Sequence, residues 1–502
     1  MARLRNSVLA NYAGQAWVGL MGIVFVPAYL RELGAERFGL VAFMLSLQAI
    51  SLLLDMGAGV FLGRELAQRN HDPQRRGSIR QLVRSFEWLM WPMALTIFVA
   101  LYAGSTAIAS DWLEPTQLGP AQTTSAIQLM GLVVALLWPT SFYAASLSGL
   151  EQQPRLNVLV AVFATLRFAG VLPVLYWTDT GLAGFLWWHA IVAAAQTLCS
   201  AALLWRLLPP AAGPVRMNWH ELLDARRFAF GVFGVTALGL LLGQMDRFTL
   251  SALRPLAEFG QYAVAITISA GLGRLVQPMF NAIYPRLSRF AAEGDQAGIS
   301  DLYHLASQIV AVVVAAIAAI ICVHAQSVLL LWTGDAALAA VAALPLSLLF
   351  AGAAMNGLLN IPFALQLAHG WTGLAATGNL IAVVVGAPLY VVAINRFGMV
   401  GAAGVSLAIN FAWLALGLPL MHRRLLRGEL TGWYLRSVMP PLLAAMAVSL
   451  LARLLWPAVE RNWAGASWLA AVAMLSLLAA AIATPGPRAL LHRHVWQRIT
   501  RR

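Results

Sequence analysis

The chain has 502 residues, is 60% hydrophobic and only 11% charged, and has a mean hydropathy of +0.74. That leaves too little polar surface to cover a soluble domain, in which roughly half the residues are apolar and about a quarter are charged. The net charge of +13 excludes neither class by itself, but all 33 basic residues are Arg, all but four of them lie outside the apolar blocks, and no basic patch is interleaved with aromatics, so nucleic acid is not the partner.

The first apolar block, 7–30, follows Arg3 and Arg5, contains Pro27 and Tyr29, and ends at Arg31 without a small-residue cleavage site. It is too long for a signal-peptide core and reads as a first membrane helix. Further blocks follow at 38–62, 85–109, 123–148, 156–177 and 181–205. After a polar interval come 228–250, 258–285, 302–331, 337–368, 371–394 and 398–421, then 437–457 and 465–484. The interval 286–301 has room for a short surface helix. Each block has the ~20 residues that a helix needs to cross the ~30 Å hydrocarbon core with its backbone polar groups satisfied internally. The expectation is an all-α polytopic membrane protein of about fourteen transmembrane helices.

Charge sets the orientation. With the N-terminus in the cytoplasm, 24 Arg fall in segments on the inner side and five (Arg31, Arg37, Arg254, Arg396 and Arg461) in loops on the outer side. Basic residues concentrate on the cytoplasmic side of membrane proteins, so both termini are expected there. Cys199 and Cys322 lie inside apolar blocks and suggest neither a disulfide framework nor a metal site.

The chain also repeats. Gly39 pairs with Gly260 at an offset of 221, Arg64 with Arg286 at 222 and Leu147 with Leu365 at 218. Gly181-Leu182-Ala183-Gly184 pairs with Gly398-Met399-Val400-Gly401 at 217. Four landmarks at nearly one offset predict two six-helix bundles, 1–206 and 226–422, with a terminal transmembrane pair at 436–484 and a basic cytoplasmic tail at 485–502 that carries His492 and His494. Six passes per repeat is an even number, so the bundles share an orientation and a pseudo-two-fold axis along the membrane normal is expected.

No nucleotide-binding loop, metal-ligand cluster or nucleophile–base pattern is present, so the chain reads as a non-enzyme without a cofactor. What stands out is charge inside spans: Arg167 in the fifth, Arg274 in the eighth, Asp55 in the second, Asp246 and Arg247 in the seventh, and Arg453 in the terminal pair. Such a charge costs ~2.5–3.5 kcal/mol on insertion scales, so it should face a polar cavity or a partner. Arg167 and Arg274 are expected to face a lumen at similar depth. Asp246 and Arg247 have two readings, a functional pair or a local ion pair near a span end. Asp55 likewise reads either as an ion-coupling carboxylate or as the fixed partner of an Arg. Arg453 reads as a structural or lipid contact, and His189 as a packed residue.

The run from Pro27 to Gly39 (Pro-Ala-Tyr-Leu-Arg-Glu-Leu-Gly-Ala-Glu-Arg-Phe-Gly) resembles the opening of the polysaccharide-biosynthesis flippases. So do Leu54-Asp55-Met56-Gly57, Gly63-Arg64-Glu65-Leu66-Ala67, Glu258-Phe259-Gly260-Gln261-Tyr262 and Tyr284-Pro285-Arg286-Leu287-Ser288. The wider superfamily includes MATE-type multidrug exporters and lipid II flippases. The resemblance implies an undecaprenyl-diphosphate-linked oligosaccharide as substrate, carried from the cytoplasmic to the periplasmic leaflet of the bacterial inner membrane. It also implies membrane lipids and the polysaccharide polymerase and chain-length machinery as partners. For a diphosphate, Arg is a fitting contact, being permanently charged and multiply donating; on this reading Arg167, Arg274 and Arg247 meet the substrate, while Asp55 and Asp246 are the coupling candidates. A lipid II flippase and a MATE-like ion-coupled exporter are the alternatives.

Overall fold

The computed structural model describes residues 14–211, 213–456 and 460–489, which leaves the start of the first span and the tail with His492 and His494 outside the described residues. Among the described residues the chain is helical, with no strand beyond a single bridge between Glu114 and Pro255. It divides into two compact units, Met1–Gly260 and Gln261–Arg502.

The first unit holds α1 (Gly14–Val24), α2 (Val26–Ser51), α3 (Ala58–His71), α4 (Ile79–Ala107) and α5 (Pro120–Leu137). It continues with α6 (Thr140–Gly149), α7 (Gln153–Phe168), α8 (Val171–Trp177), α9 (Gly181–Leu207) and α10 (Trp219–Leu253). Helix α11 (Leu256–Glu293) runs across the division and continues through 286–293, where the sequence left room for a separate surface helix. The second unit adds α12 (Gln296–Val323), α13 (Ala325–Thr333), α14 (Ala336–Leu358), α15 (Asn360–Ala368), α16 (Gly373–Ala412) and α17 (Leu418–Leu425). The terminal hairpin is α18 (Met439–Leu455) and α19 (Trp463–Ala483).

Eleven helical segments are long and apolar enough to cross a membrane, and glycine geometry together with α10 accounts for fourteen passes among the described residues. Inside α2, Gly34 has φ 77° and ψ 168°, which no helix accommodates. The chain doubles back there: Gly22 lies against Phe168, while Leu45 and Gln48 reach the same level beside Arg167. Inside α16, Gly398 has φ 56° and ψ −137°, and Gly378 comes back against the indole of Trp413. Helix α1 with the start of α2 is therefore one pass and the rest of α2 a second, α16 with α17 makes two passes about Gly398, and the 35-residue α10 completes the count.

Loop contacts separate the two faces of the first unit. Glu36, 3% exposed, follows the first pass and accepts from the backbone N–H groups of Thr116, Gln117 and Leu118 at 2.9–3.0 Å and from Thr116 Oγ1 at 2.7 Å, in the loop after the third. On the opposite face Arg69 donates to Glu221 Oε1 and Oε2 at 3.0 and 2.6 Å and to Glu65 at 2.9 Å, and Arg80 donates to the Pro209 carbonyl at 2.8 Å. Burial works to lower the pKa of Arg69, but the two carboxylates more than offset it and hold it above the ordinary value. The Arg-rich segments 63–84 and 206–227 therefore share one face, as their sequence placement requires.

The repeat is visible in local geometry. Gly181 and Gly398 both adopt positive φ, 52° and 56°. Leu147 and Leu365 are both fully buried. Gly39 packs on the carbonyl of Leu256, and Gly260 on the carbonyl of Ala35, so closely that an added Cβ would stand 2.4 and 2.0 Å from those oxygens. Ala35 and Leu256 are themselves one repeat apart, so the contact is reciprocal.

In the second unit, Val312, Ala315 and Ala319 of α12 pack on Ala445 of α18 and Ala480 of α19. Small residues let membrane helices approach closely where no hydrophobic driving force acts between them. Ser449 and Ser476 bond across the hairpin at 3.2 Å, and Arg453 donates to the Val323 carbonyl, which makes Arg453 the local structural contact its position suggested.

Candidate functional site

Arg167 stands in the last turn of α7, and the sequence after it breaks the helix. Pro173 has no N–H to offer the carbonyl four residues earlier, so the ladder slips. Leu172 bonds back to Ala169 at 3.1 Å, and Ala169 and Gly170 both bond to Thr165. The displaced carbonyls on either side of Arg167 are taken by side chains: Trp188 Nε1 donates to Leu166 at 2.8 Å and the Tyr29 hydroxyl to Phe168 at 2.5 Å. Gly170 is required by space, because a Cβ there would meet the Leu166 carbonyl at 2.3 Å and the Trp188 ring at 2.7 Å. The break thus fixes the residue at the C-terminal end of a half-helix, where the helix dipole favours a cation.

From that end Arg167 faces a cavity of about 390 Å³ inside the first unit. Gln48 and Ser51 of α2, Thr140 and Ser141 of α6, and Gln196 and Ser200 of α9 contribute its polar wall. Among the described residues that line it, Arg167 is the only ionisable one. A terminal guanidinium nitrogen donates to Gln196 Oε1, whereas Nε is buried and has no partner. The amide orients the cation without neutralising it. Chemically the site offers a fixed positive charge, an unused N–H and a hydrogen-bonding wall, in a segment that crosses the membrane.

The other sequence candidates lie elsewhere. Arg247 repeats the same device on α10: Nη1 donates to Gln244 Oε1 at 3.0 Å, and its buried Nε is without a partner. Asp246 beside it is 8% exposed. Asp55 ends a short 3-10 turn, after which Met56 and Gly57 take positive φ of 46° and 80°. Its Oδ1 accepts from the backbone N–H of Gly59 at 3.0 Å, so the carboxylate sits on the N-terminus of α3. Neither Asp55, Asp246 nor Arg247 lines the cavity with Arg167. Arg274, in the second unit, is exposed on α11 on the same side as Gln277 and Asn281, which bond to each other at 3.3 Å. His189 is 4% exposed and stacks on Phe185, a packing role.

Sequence reasoning missed Gln48 and Gln196. The signal was present, since an amide in the middle of an apolar span is costly unless it meets a polar partner. It was overshadowed by the formal charges.

Residues 4–291 match the family described as polysaccharide biosynthesis protein. Among solved structures, the fold is similar to the lipid II flippase MurJ in an inward closed conformation, with 9% identity, 97% of this chain and 99% of that one covered, and a TM-score of 0.69. It is also similar to an inward-facing multidrug resistance MATE family transporter of the MOP superfamily, with 12% identity, coverage of 81% and 96%, and a TM-score of 0.66. A third similar structure is a MOP superfamily transporter from Pyrococcus furiosus whose binding pocket is described as of reverse polarity, with 14% identity, coverage of 86% and 96%, and a TM-score of 0.56. No curated protein matches the chain in sequence. The chain is a multi-pass membrane protein and belongs to the polysaccharide biosynthesis protein family.

Proposed function

We propose that this protein is a flippase that carries an undecaprenyl-diphosphate-linked oligosaccharide repeat unit from the cytoplasmic to the periplasmic leaflet of the inner membrane, for cell-surface polysaccharide assembly. The observation that carries the reading is the Arg167 cavity: a charged, unneutralised guanidinium with a free Nε–H, within a membrane-crossing bundle, among neutral polar side chains. An anionic head group suits that site, and a diphosphate suits an Arg because its oxygens accept the planar fork of N–H donors. Arg247 and Arg274 are proposed as further contacts along the path of the diphosphate, and Asp55 and Asp246 as candidates for ion coupling. The bundles 1–206 and 226–422 are proposed as the moving bodies of an alternating-access cycle, with 436–484 as an added pair. Both termini are proposed to lie in the cytoplasm, a reading the Arg bias supports, and the polymerase and chain-length machinery are proposed as the partners that consume the product.

A second reading, lipid II flippase, draws support from the similarity to MurJ over 97% of this chain. It shares the carrier and differs in the glycan. A cationic-drug exporter is disfavoured, since the Arg167 cavity carries no acidic side chain among its described lining residues. The test is complementation. Wild-type protein should restore surface polysaccharide in a strain lacking its repeat-unit flippase, and the Arg167→Ala, Arg274→Ala double variant should fail at normal protein level. Restoration by the double variant would overturn the role of these residues. Rescue of lipid II flippase depletion instead of the polysaccharide defect would select the second reading.

A further inference from the structure

The second unit holds a cluster of titratable groups of its own, where α12 meets α17 and the one-turn π segment Trp433–Val438 that leads into α18. Tyr303 of α12 is fully buried there, and His422 of α17 is 2% exposed. Two bonds of the junction do not depend on pH: Trp433 Nε1 donates to Ser307 Oγ at 3.1 Å, and the Tyr434 hydroxyl to the Leu414 carbonyl at 2.7 Å. Two others run through imidazoles, and they differ in what protonation does to them.

Nδ1 of His422 lies 3.1 Å from the Leu418 carbonyl, which can only accept, so Nδ1 carries the hydrogen. Nε2 of the neutral ring therefore presents its lone pair, and the Tyr303 hydroxyl donates to it at 3.2 Å. A proton added at Nε2 would set donor against donor. The hydroxyl would have to turn its hydrogen away, and among the described residues it has no second partner. The Trp433 ring centroid is 6.3 Å from that of His422, beyond the ~6 Å within which a ring face holds a cation. His304 is built differently. Its Nε2 donates to Glu429 Oε2 at 3.0 Å, and its Nδ1 faces Ser437 Oγ at 3.2 Å, a hydroxyl that can give or take. Both forms of His304 are thus satisfied, and it occupies the carboxylate that a charged His422 would need. Tyr303, His304 and Glu429 are the titratable groups that face His422. Helix α15 and the segment Trp413–Gly417, which also pack on α17, bring none, and Arg423, Arg424 and Arg436 are exposed.

We infer that the His422–Tyr303 bond is an acid-released joint, which ties the last pass of the second bundle to α12 while His422 is neutral and lets go when the ring takes a proton. Helix α12 is packed through its alanines on the terminal pair, so α12, α18 and α19 form the fixed side of the joint and α17 the side that is freed. The sign follows from the tautomer: the bond is present above the ordinary imidazole range and is lost as the pH falls through it. Because the run Arg423, Arg424 and Arg427 places this end of the unit on the face proposed as cytoplasmic, the joint responds to acid on that side.

Hydrogen exchange of the full-length protein in lipid nanodiscs tests the joint, read on peptides covering 418–425 at about pH 7.5 and about pH 5, either side of the ordinary imidazole value, with exposure times corrected for the intrinsic effect of pH. In the wild type, protection of α17 should fall roughly tenfold at the lower pH, the change that loss of one net hydrogen bond produces. His422→Gln offers Tyr303 an amide oxygen that does not titrate, so its α17 should stay protected at both values. His304→Gln should keep the wild-type response. Tyr303→Phe lacks the bond throughout and should be less protected at both values, with little difference between them. Equal protection of the wild type at the two values overturns the inference, as does a wild-type fall in His422→Gln or its loss in His304→Gln. If His422→Gln does not accumulate, a wild-type fall in Tyr303→Phe overturns it instead.

Discussion

Each unit holds a cavity between its helices, and their walls differ in kind. In the first unit, a space of about 390 Å³ is bordered by Arg167, Gln48, Gln196 and four hydroxyls. In the second, a space of about 590 Å³ between α12, α14 and α18 is walled by Ala315, Ala318, Ala354, Met355 and Met446, with Tyr434 and Cys322, among the described residues that line it, as the only departures from hydrocarbon and thioether. The helices around both are apolar enough to cross a membrane. What differs is the supply of polar groups at mid-span. The first cavity can compensate for a desolvated head group, and the second is suited to hydrocarbon, from packing or from lipid. Size therefore does not locate the chemistry: the larger space is the inert one.

A charge placed in the second cavity should be the harshest test of that contrast. Met355→Arg puts a guanidinium against Ala and Met side chains with no amide to receive it, and should cost ~2.5–3.5 kcal/mol. Thermal unfolding in detergent should show a clear loss of stability. An unchanged midpoint would mean that the second cavity is wet and that the contrast is false.

Next in size is Gln196→Glu. The substitution is nearly isosteric but converts the neutral receiver of Arg167 into a counter-ion. It should reduce transport by about a hundredfold, because an ion pair replaces the anion as the partner of the cation. Gln196→Ala, which leaves Arg167 charged but less well oriented, should reduce it only severalfold. If the Glu variant is as active as wild type, the guanidinium is not a substrate contact.

The smallest effect concerns the perch of Arg167. Trp188→Phe removes the donor to the Leu166 carbonyl at the helix break and should cost about 1 kcal/mol, seen as a few-fold loss of transport with normal insertion. An effect no larger than that of replacing a lipid-facing residue such as Leu198 would show that the break is held by other contacts.

Much of the fold was legible because membrane helices announce themselves by length and composition. Gly181 and Gly398 marked the repeat in the sequence and turned out to be the left-handed residues at the matching turns. The reciprocal packing of Gly39 and Gly260 was not legible, since a sequence gives an offset and not a partner. The candidate site was half legible. Arg167 stood out as a charge in an apolar span, but Gln48 and Gln196 drew no attention, since a neutral amide leaves a weaker mark than a formal charge. Asp55 stood out too. Its partner, the backbone N–H of Gly59, is a group that no side-chain pattern reveals.

The central claim is that Arg167 holds an anionic head group within the first unit. Its most direct measurement is the affinity of undecaprenyl diphosphate relative to uncharged undecaprenol, for the wild type and for Arg167→Ala, in nanodiscs of neutral lipid. The account predicts that wild-type protein prefers the diphosphate by tenfold or more, the ~1.4 kcal/mol or more of a charge-assisted pair, and that the variant loses most of that preference. An undiminished preference in Arg167→Ala would contradict it.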